Sequence, residues 1–257
     1  MKCINSRLAI LLLLSISLAP RWSTAADTEE RKVKIQELEK QPPSKEALDR
    51  KNRSITFLRE KKVPILESLP VINDSTSAHL RTTKEIAERV VACTICAVAG
   101  ETGEKALSND LVTKFHASEL LTPKETEFLQ TGISNERERM QFSWQYERSW
   151  VLLWALGYVE HLDYPPAVCD VSKLVKVLRG KSVAELVRDA KPRTAQEILD
   201  AADLIYRLDW AVVNDRVHHT TPVPGDVVAG VVLERHKALN WLIGYMGEAW
   251  DDISNDT

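Results

Sequence analysis

From Arg53 onward the apolar positions recur at three- and four-residue spacing, the period of an α-helix packed on one side. Leu48, Ile55 and Leu58 fall on one face of a helix expected over residues 45–62. Further helices are expected over about 83–99, 106–117 and 123–130, then a long one over 135–162. Short ones are expected over 171–179 and 183–190, and long ones over 195–217 and 226–247. Four start signals sharpen these boundaries: Thr82-Thr83-Lys84-Glu85, Thr122-Pro123-Lys124-Glu125, Ser182-Val183-Ala184-Glu185 and Thr194-Ala195-Gln196-Glu197. In each, the first side chain can accept from a free backbone N–H while the glutamate reaches back. Gly100, Gly132 and Gly180 stand where helices are expected to stop. Residues 63–72, VPILESLPVI, are broken by Pro64 and Pro70 and read as extended. No period-2 alternation is sustained and no hairpin pair of strands is present, so the expected fold is all-α, a single compact multi-helix domain with that one extended segment.

The N-terminus follows a different pattern. Lys2 and Arg7 precede eleven uncharged residues, 8–18. Pro20 ends the run, and Ser23, Thr24, Ala25 and Ala26 are small. This is the order of a secretory signal peptide, and the run is too short to span a bilayer, which takes roughly 20 apolar residues. Cleavage after Ala25 or Ala26 is expected, giving a soluble exported product, periplasmic or extracellular. Cys3 precedes the apolar run, where it cannot carry a lipid anchor. Residues 26–52 follow as a charged linker. Within 27–52 seven acids balance seven bases around Pro42-Pro43, and a short helix near residues 33–38 is the one element expected there. The domain proper is expected over 53–257.

Composition narrows the functional classes. The chain has 34 basic and 37 acidic residues, a formal charge of −3, which gives no electrostatic ground for nucleic acid as a partner. Cys93, Cys96 and Cys169 remain after cleavage, an odd number that does not make a disulfide scaffold. Cys93-x-x-Cys96 falls inside a helix among Val90, Val91, Ile95 and Val98, where two core thiols are expected rather than a redox pair at a helix N-terminus. There is no HExxH, no G-x-S-x-G, no phosphate loop and no G-x-G-x-x-G. No metal site and no cofactor is expected. His218-His219 lies in a turn-rich loop, and His161 lies near an expected helix end. The last eight residues, from Trp250, carry three aspartates without calcium-loop spacing. They read as a solvated tail or, alternatively, as a segment docked back through Trp250.

Three of the long helices place ionisable groups on an aromatic face. Glu147 has Trp144 one turn before it, and Trp150 and Trp154 beyond. Asp203, Arg207 and Trp210 share a stripe, as do Glu234, Ala238, Trp241 and Tyr245, with Arg235 and His236 adjacent. A carboxylate on such a face is part-buried and needs a cationic partner, and Arg207 and Arg235 are the natural ones. Two readings follow. One is a structural ion network that fixes helix packing around a tryptophan core. The other is a polar pocket of Glu147, Asp203, Arg207, Glu234, Arg235 and His236, lined by Trp144, Trp150, Trp154, Trp210 and Trp241. That pocket could hold a small molecule or serve acid–base chemistry. The function stays open between a non-enzymatic domain that binds a protein or small molecule, the favoured reading, and an enzyme of unrecognised type.

Residues 144–157 (WQYERSWVLLWALG), 200–217 (DAADLIYRLDWAVVNDRV), 231–245 (VVLERHKALNWLIGY), Cys169-Asp170-Val171 and the C-terminal WDDISNDT recur in order with Arg53-Ser54-Ile55 and Val63-Pro64. On these motifs the chain resembles the domain-of-unknown-function family numbered 4272 over about residues 53–257. The resemblance implies a helical body and brings no assigned activity or catalytic residues. The export segment departs from what the family implies.

Overall fold

The stretch from Ile86 to Gly100 offers apolar or small side chains on almost every side, and a helix of that kind belongs in an interior. In the computed structural model, which describes Val33, residues 42–218 and residues 225–255, this helix is the centre of the fold. The chain divides into a first unit, Met1–Gln41, and a second, Pro42–Thr257. The first is described only at Val33, which is helical and exposed. The apolar run of residues 8–18 and the cleavage site therefore lie outside the described residues.

The second unit is all-α. In chain order its helices are α1 (Lys45–Glu60), α2 (Thr83–Thr102), α3 (Lys105–Phe115), α4 (Pro123–Gln130), α5 (Glu136–Ser143), α6 (Gln145–Ala155), α7 (Val171–Leu178), α8 (Val183–Asp189), α9 (Ala195–His218) and α10 (Ala229–Leu242). Short 3₁₀ turns follow α3, α4 and α10, and Trp250–Asp252 forms another near the C-terminus. Helix α2 packs on α6, α5, α3 and α8. Helix α6 packs on α10, α10 on α9, and α9 on α1. The layers thus run α1, α9, α10, α6, α2, with α5 and α8 outside. Among the described residues there is no strand, and no helix is long and apolar enough to cross a membrane.

The four expected capping boxes all form. At Thr82/Glu85, Thr122/Glu125 and Ser182/Glu185 both reciprocal bonds are present. Thr194 Oγ1 accepts from Glu197 N at 3.2 Å, while Glu197 Oε2 accepts from Thr194 N at 2.8 Å.

Three expectations are corrected. The helix expected over 135–162 is two helices meeting at Trp144, and it ends at Ala155. Gly157 at φ +82° stops it, because that backbone region is closed to most side chains. The non-helical residues 191–193 then cover its end: Lys191 N and Arg193 N donate to Leu156 O and Ala155 O, both at 2.9 Å. Gly100 is not a stop either. The helix continues to Thr102, and Gly103 at φ +68° closes it. A Cβ on Gly100 would lie 2.5 Å from Arg139 O and 2.6 Å from Ser143 N, so this glycine admits the backbone of α5 against α2. Helix α10 starts at Ala229 and ends at Leu242, short of the expected 226–247; Arg81 N donates to the Leu242 carbonyl at 3.0 Å.

Helix α1 starts at Lys45 behind a Ser44 cap, where the helix over 45–62 is expected. Arg50 is 1% exposed and pairs with Glu46 (2.5 Å) on its own helix and with Asp200 (3.2 Å) on α9. The segment 63–72 is non-helical apart from a turn, as expected. Side chains read its carbonyls: Lys51 Nζ donates to Glu67 O and Leu69 O at 2.7 Å, and Arg207 to Pro70 O at 3.0 Å.

Candidate functional site

The six charged residues read as either an ion network or a polar pocket are distributed over separate pairs. Glu147 on α6 accepts from Cys169 N at 2.5 Å and from Arg235 Nε of α10 at 3.2 Å. Arg235 also donates to Asp163 O at 2.7 Å. Asp203 and Arg207, one turn apart on α9, form a bidentate pair at 2.8 and 2.9 Å and are essentially fully buried. That burial removes them from the class of surface i,i+4 pairs. His236 Nδ1 lies 2.8 Å from Asp209 Oδ2, again with both side chains buried. Asp209 is a partner the sequence reading did not anticipate. Glu234 pairs with Arg148 Nε of α6, and its other oxygen lies 3.8 Å from Lys237 Nζ.

The aromatic set divides in the same way. Trp150, Trp154 and Trp241 are core residues, each with a cation over its ring: Lys173, Arg193 and Arg81 at 5.8, 5.7 and 4.9 Å. Trp210 is half-buried against the core. Trp144 differs, because it lines an open groove.

That groove has a volume of about 710 Å³ and runs between α4, the α5–α6 junction, α10 and the C-terminal turn. Of the eleven residues expected as site or lining, Glu234 and Trp144 line it. The others that line it include Phe128, Phe142, Gln145, Arg148, Leu233, Lys237, Trp250, Asp251 and Ile253. One wall is a stack: the Phe128 and Phe142 rings are 3.8 Å apart at 10°. Trp144 is seated by Gly230, where a Cβ would come within 2.8 Å of the indole. The break between α5 and α6 therefore has a consequence: it turns Trp144 onto α10 instead of continuing one helical face.

The C-terminal turn closes the other end. Trp250 is buried, with the guanidiniums of Arg89 and Arg148 over its ring at 5.0 and 5.6 Å and Trp241 edge-on at 5.2 Å. Asp251 accepts from Thr122 Oγ1 at 2.7 Å and from Lys124 N at 3.2 Å, so it caps α4 from a distance. Of the two readings of this segment, the solvated tail is corrected to the docked one through Ser254 and Asn255. Asp256 and Thr257 lie outside the described residues. Beneath Trp250, Arg89 and Glu125 form a buried pair at 2.5 Å.

The electrostatics of the groove centre on three groups. Burial pulls the Lys237 ammonium down from the ordinary lysine value, with Glu234 opposing and Arg148 reinforcing the shift. Burial also works against the Arg148 cation, but the Glu234 carboxylate outweighs it and holds Arg148 above its usual value. Signals for Lys237 and Glu234 were readable as an i,i+3 pair. Arg148 was masked by its neighbour Glu147, although both reach α10, at Glu234 and Arg235.

The cysteines are free and buried. Cys93 Sγ donates to Gln145 Oε1 at 3.0 Å, and burial pushes its thiol up to about 12. Burial likewise raises Cys96 and Cys169. Thiols held protonated are inert core groups. His161 is exposed beside Glu160, and His218 Nδ1 lies 2.9 Å from Asn214 O at the end of α9; His219 lies outside the described residues. Among the described residues no cluster of three or more His, Cys, Asp or Glu side chains is placed to hold a metal ion.

A family model described as a domain of unknown function (DUF4272) matches residues 50–253. The chain belongs to that family. No curated protein and no solved structure matches it.

Proposed function

We propose that the mature chain is an exported, non-enzymatic binding domain and that the groove beside Trp144 is its ligand site. Export is supported by the basic start at Lys2 and Arg7, the apolar run 8–18 and the small residues Ser23, Thr24, Ala25 and Ala26. In this reading residues 1–25 are removed and the charged residues from 26 to the start of α1 act as a tether.

The groove carries the binding half of the proposal. Its volume lies in the range of small-molecule sites, and it combines aromatic walls with a few convergent polar groups. The non-enzymatic half rests on the pairing of the charges behind it. Both oxygens of Glu147 are engaged, one by Cys169 N and one by Arg235, and both oxygens of Asp203 by Arg207. Carboxylates occupied in this way fix helices α6, α9 and α10 against one another, and neither Glu147 nor Asp203 lines the groove.

One experiment reads both halves. Native mass spectrometry of the exported chain gives the N-terminus and any molecule retained. The expected masses correspond to cleavage after Ala25 or Ala26, with a small molecule carried by the native chain and lost from Trp144→Ala at unchanged melting temperature. A chain of full precursor mass would overturn export. Equal retention by Trp144→Ala would overturn the groove as the site.

A further inference from the structure

Three cations and four carboxylates line the groove, and their pairing decides which charge is left over. Each cation is matched. Arg148 is bonded to Glu234, whose other oxygen lies 3.8 Å from Lys237 Nζ. The buried Asp209 carboxylate also supports the Lys237 cation, while being held itself by His236. Lys124 Nζ donates to the Asp251 carbonyl at 2.7 Å, and the Asp251 carboxylate caps α4. The two remaining carboxylates, Glu127 on α4 and Glu138 on α5, meet no cation among the described residues. Glu138 accepts from Asn135 Nδ2 at 2.8 Å, and no hydrogen bond or ion pair reaches the Glu127 side chain. The small excess in the groove is therefore negative, and it sits on the α4–α5 side.

The aromatic rings give a second and independent observation. Trp150, Trp154, Trp241 and Trp250 each have a lysine or arginine over the indole. Among the described residues Trp144 and Trp210 have none. Trp210 packs against the core, whereas Trp144 lines the groove. An indole face attracts a cation through its ring quadrupole. The chain meets that preference with its own side chains at four tryptophans and leaves it open at Trp144. Lys237 does not supply the missing cation. Trp144 is seated on Gly230, seven residues before Lys237 on α10, which places the two about 10 Å apart along the helix axis. Glu234 stands between them on the same helix.

Resting on the groove as the binding site, we infer that its ligand is an organic monocation carrying a quaternary ammonium, held over Trp144 on the side of Glu127 and Glu138. One positive charge balances the excess. The alkyl groups of a quaternary ammonium pack on the indole and ask for no hydrogen-bond acceptor, and a ring face offers none. A primary ammonium brings three donors that the ring cannot satisfy. An anion would add to the excess. A neutral molecule of the same shape would fill the apolar walls and gain nothing from the ring quadrupole or the two carboxylates. A cation over a tryptophan in a partly desolvated site gains about tenfold in affinity over its neutral counterpart.

The test is NMR titration of the mature chain, read on backbone amides of the groove, with choline, its neutral carbon isostere 3,3-dimethylbutan-1-ol, and ethanolamine. Choline and the isostere differ only in a charged nitrogen for a carbon. Choline should bind about tenfold more tightly than the isostere, and ethanolamine more weakly than choline. In Trp144→Leu, which keeps an apolar wall, the gap between choline and the isostere should narrow. It should also narrow in the double variant Glu127→Gln/Glu138→Gln. Choline no tighter than the isostere in the native chain would overturn the ligand class while leaving the groove intact, and that comparison does not depend on any variant folding. Ethanolamine binding as tightly as choline would overturn the quaternary centre. A gap unchanged in Trp144→Leu would overturn the ring as its origin, and one unchanged in the double variant would overturn the two carboxylates. Failure of all three molecules to move any groove amide would overturn the groove itself, a distinguishable failure.

Discussion

Glu147 shows what one buried charge does in this protein. Its two oxygens tie the loop at Cys169 and helix α10 to helix α6. In Glu147→Gln the shape is retained, but Arg235 is left buried beside a neutral amide. Removing one partner of a buried pair costs about 3 kcal/mol or more, which corresponds to a fall of about 10 °C in Tm for a domain of this size. Scanning calorimetry should record that fall while titration of the groove is unchanged, since Glu147 does not line it. An unchanged Tm would mean that Glu147 holds nothing in place. At this scale the sequence was half legible. The spacing in α9 identified Asp203–Arg207, because i and i+4 are neighbours on any helix. The aromatic stripe pointed to part-burial; that the burial is complete depends on residues 63–72, whose Pro70 carbonyl accepts from Arg207. His236 was legible as an ionisable neighbour, but its partner Asp209 lies on another helix.

Helix starts were readable because a capping box is local chemistry, complete within four residues. Helix ends and breaks were less so, because tertiary contacts decide them. Nothing local in residues 135–155 marks the break at Trp144. The break is imposed by α5 closing on α2 at Gly100, and its product is the aromatic wall of the groove. Gly100→Ala tests that dependence. Its methyl would meet the Arg139 carbonyl and the Ser143 amide nitrogen, backbone atoms that cannot swing aside. A destabilisation of about 1–3 kcal/mol is expected in denaturant unfolding, together with altered fluorescence of Trp144. Gly180→Ala is the control: it meets no atom within 4 Å, and at φ +79° it carries only the local backbone cost of about 1 kcal/mol. If Gly100→Ala were no more destabilising than Gly180→Ala, the close approach of α5 to α2 would not be what sets the bend.

At the scale of the molecule, the all-α class was legible because helical periodicity and capping signals agree along the whole body. The edge of the body was legible two ways, as a helix from residue 45 and as a linker up to residue 52. Residues 45–52 are rich in charge, and charge in isolation reads as solvated linker. Here the charge is spent inside: Arg50 reaches Glu46, Asp200 and the Asn73 carbonyl at once, and so joins α1, α9 and the segment leading to α2. A chain beginning at residue 53 would keep Ile55 and Leu58 in the core but leave Asp200 with only the exposed Arg53 and the Asn73 carbonyl with no donor. Compared with a chain beginning at residue 42, it should lose about 3 kcal/mol or more in urea unfolding and expose amides of α9 to hydrogen exchange. Equal stability of the two would place the edge of the body at Arg53 after all. Because α9 also carries Asp209 and packs on α10, the helix that bears Glu234 and Lys237, loosening at this edge should reach the groove from the far side of the fold, as weaker ligand binding in the shorter chain.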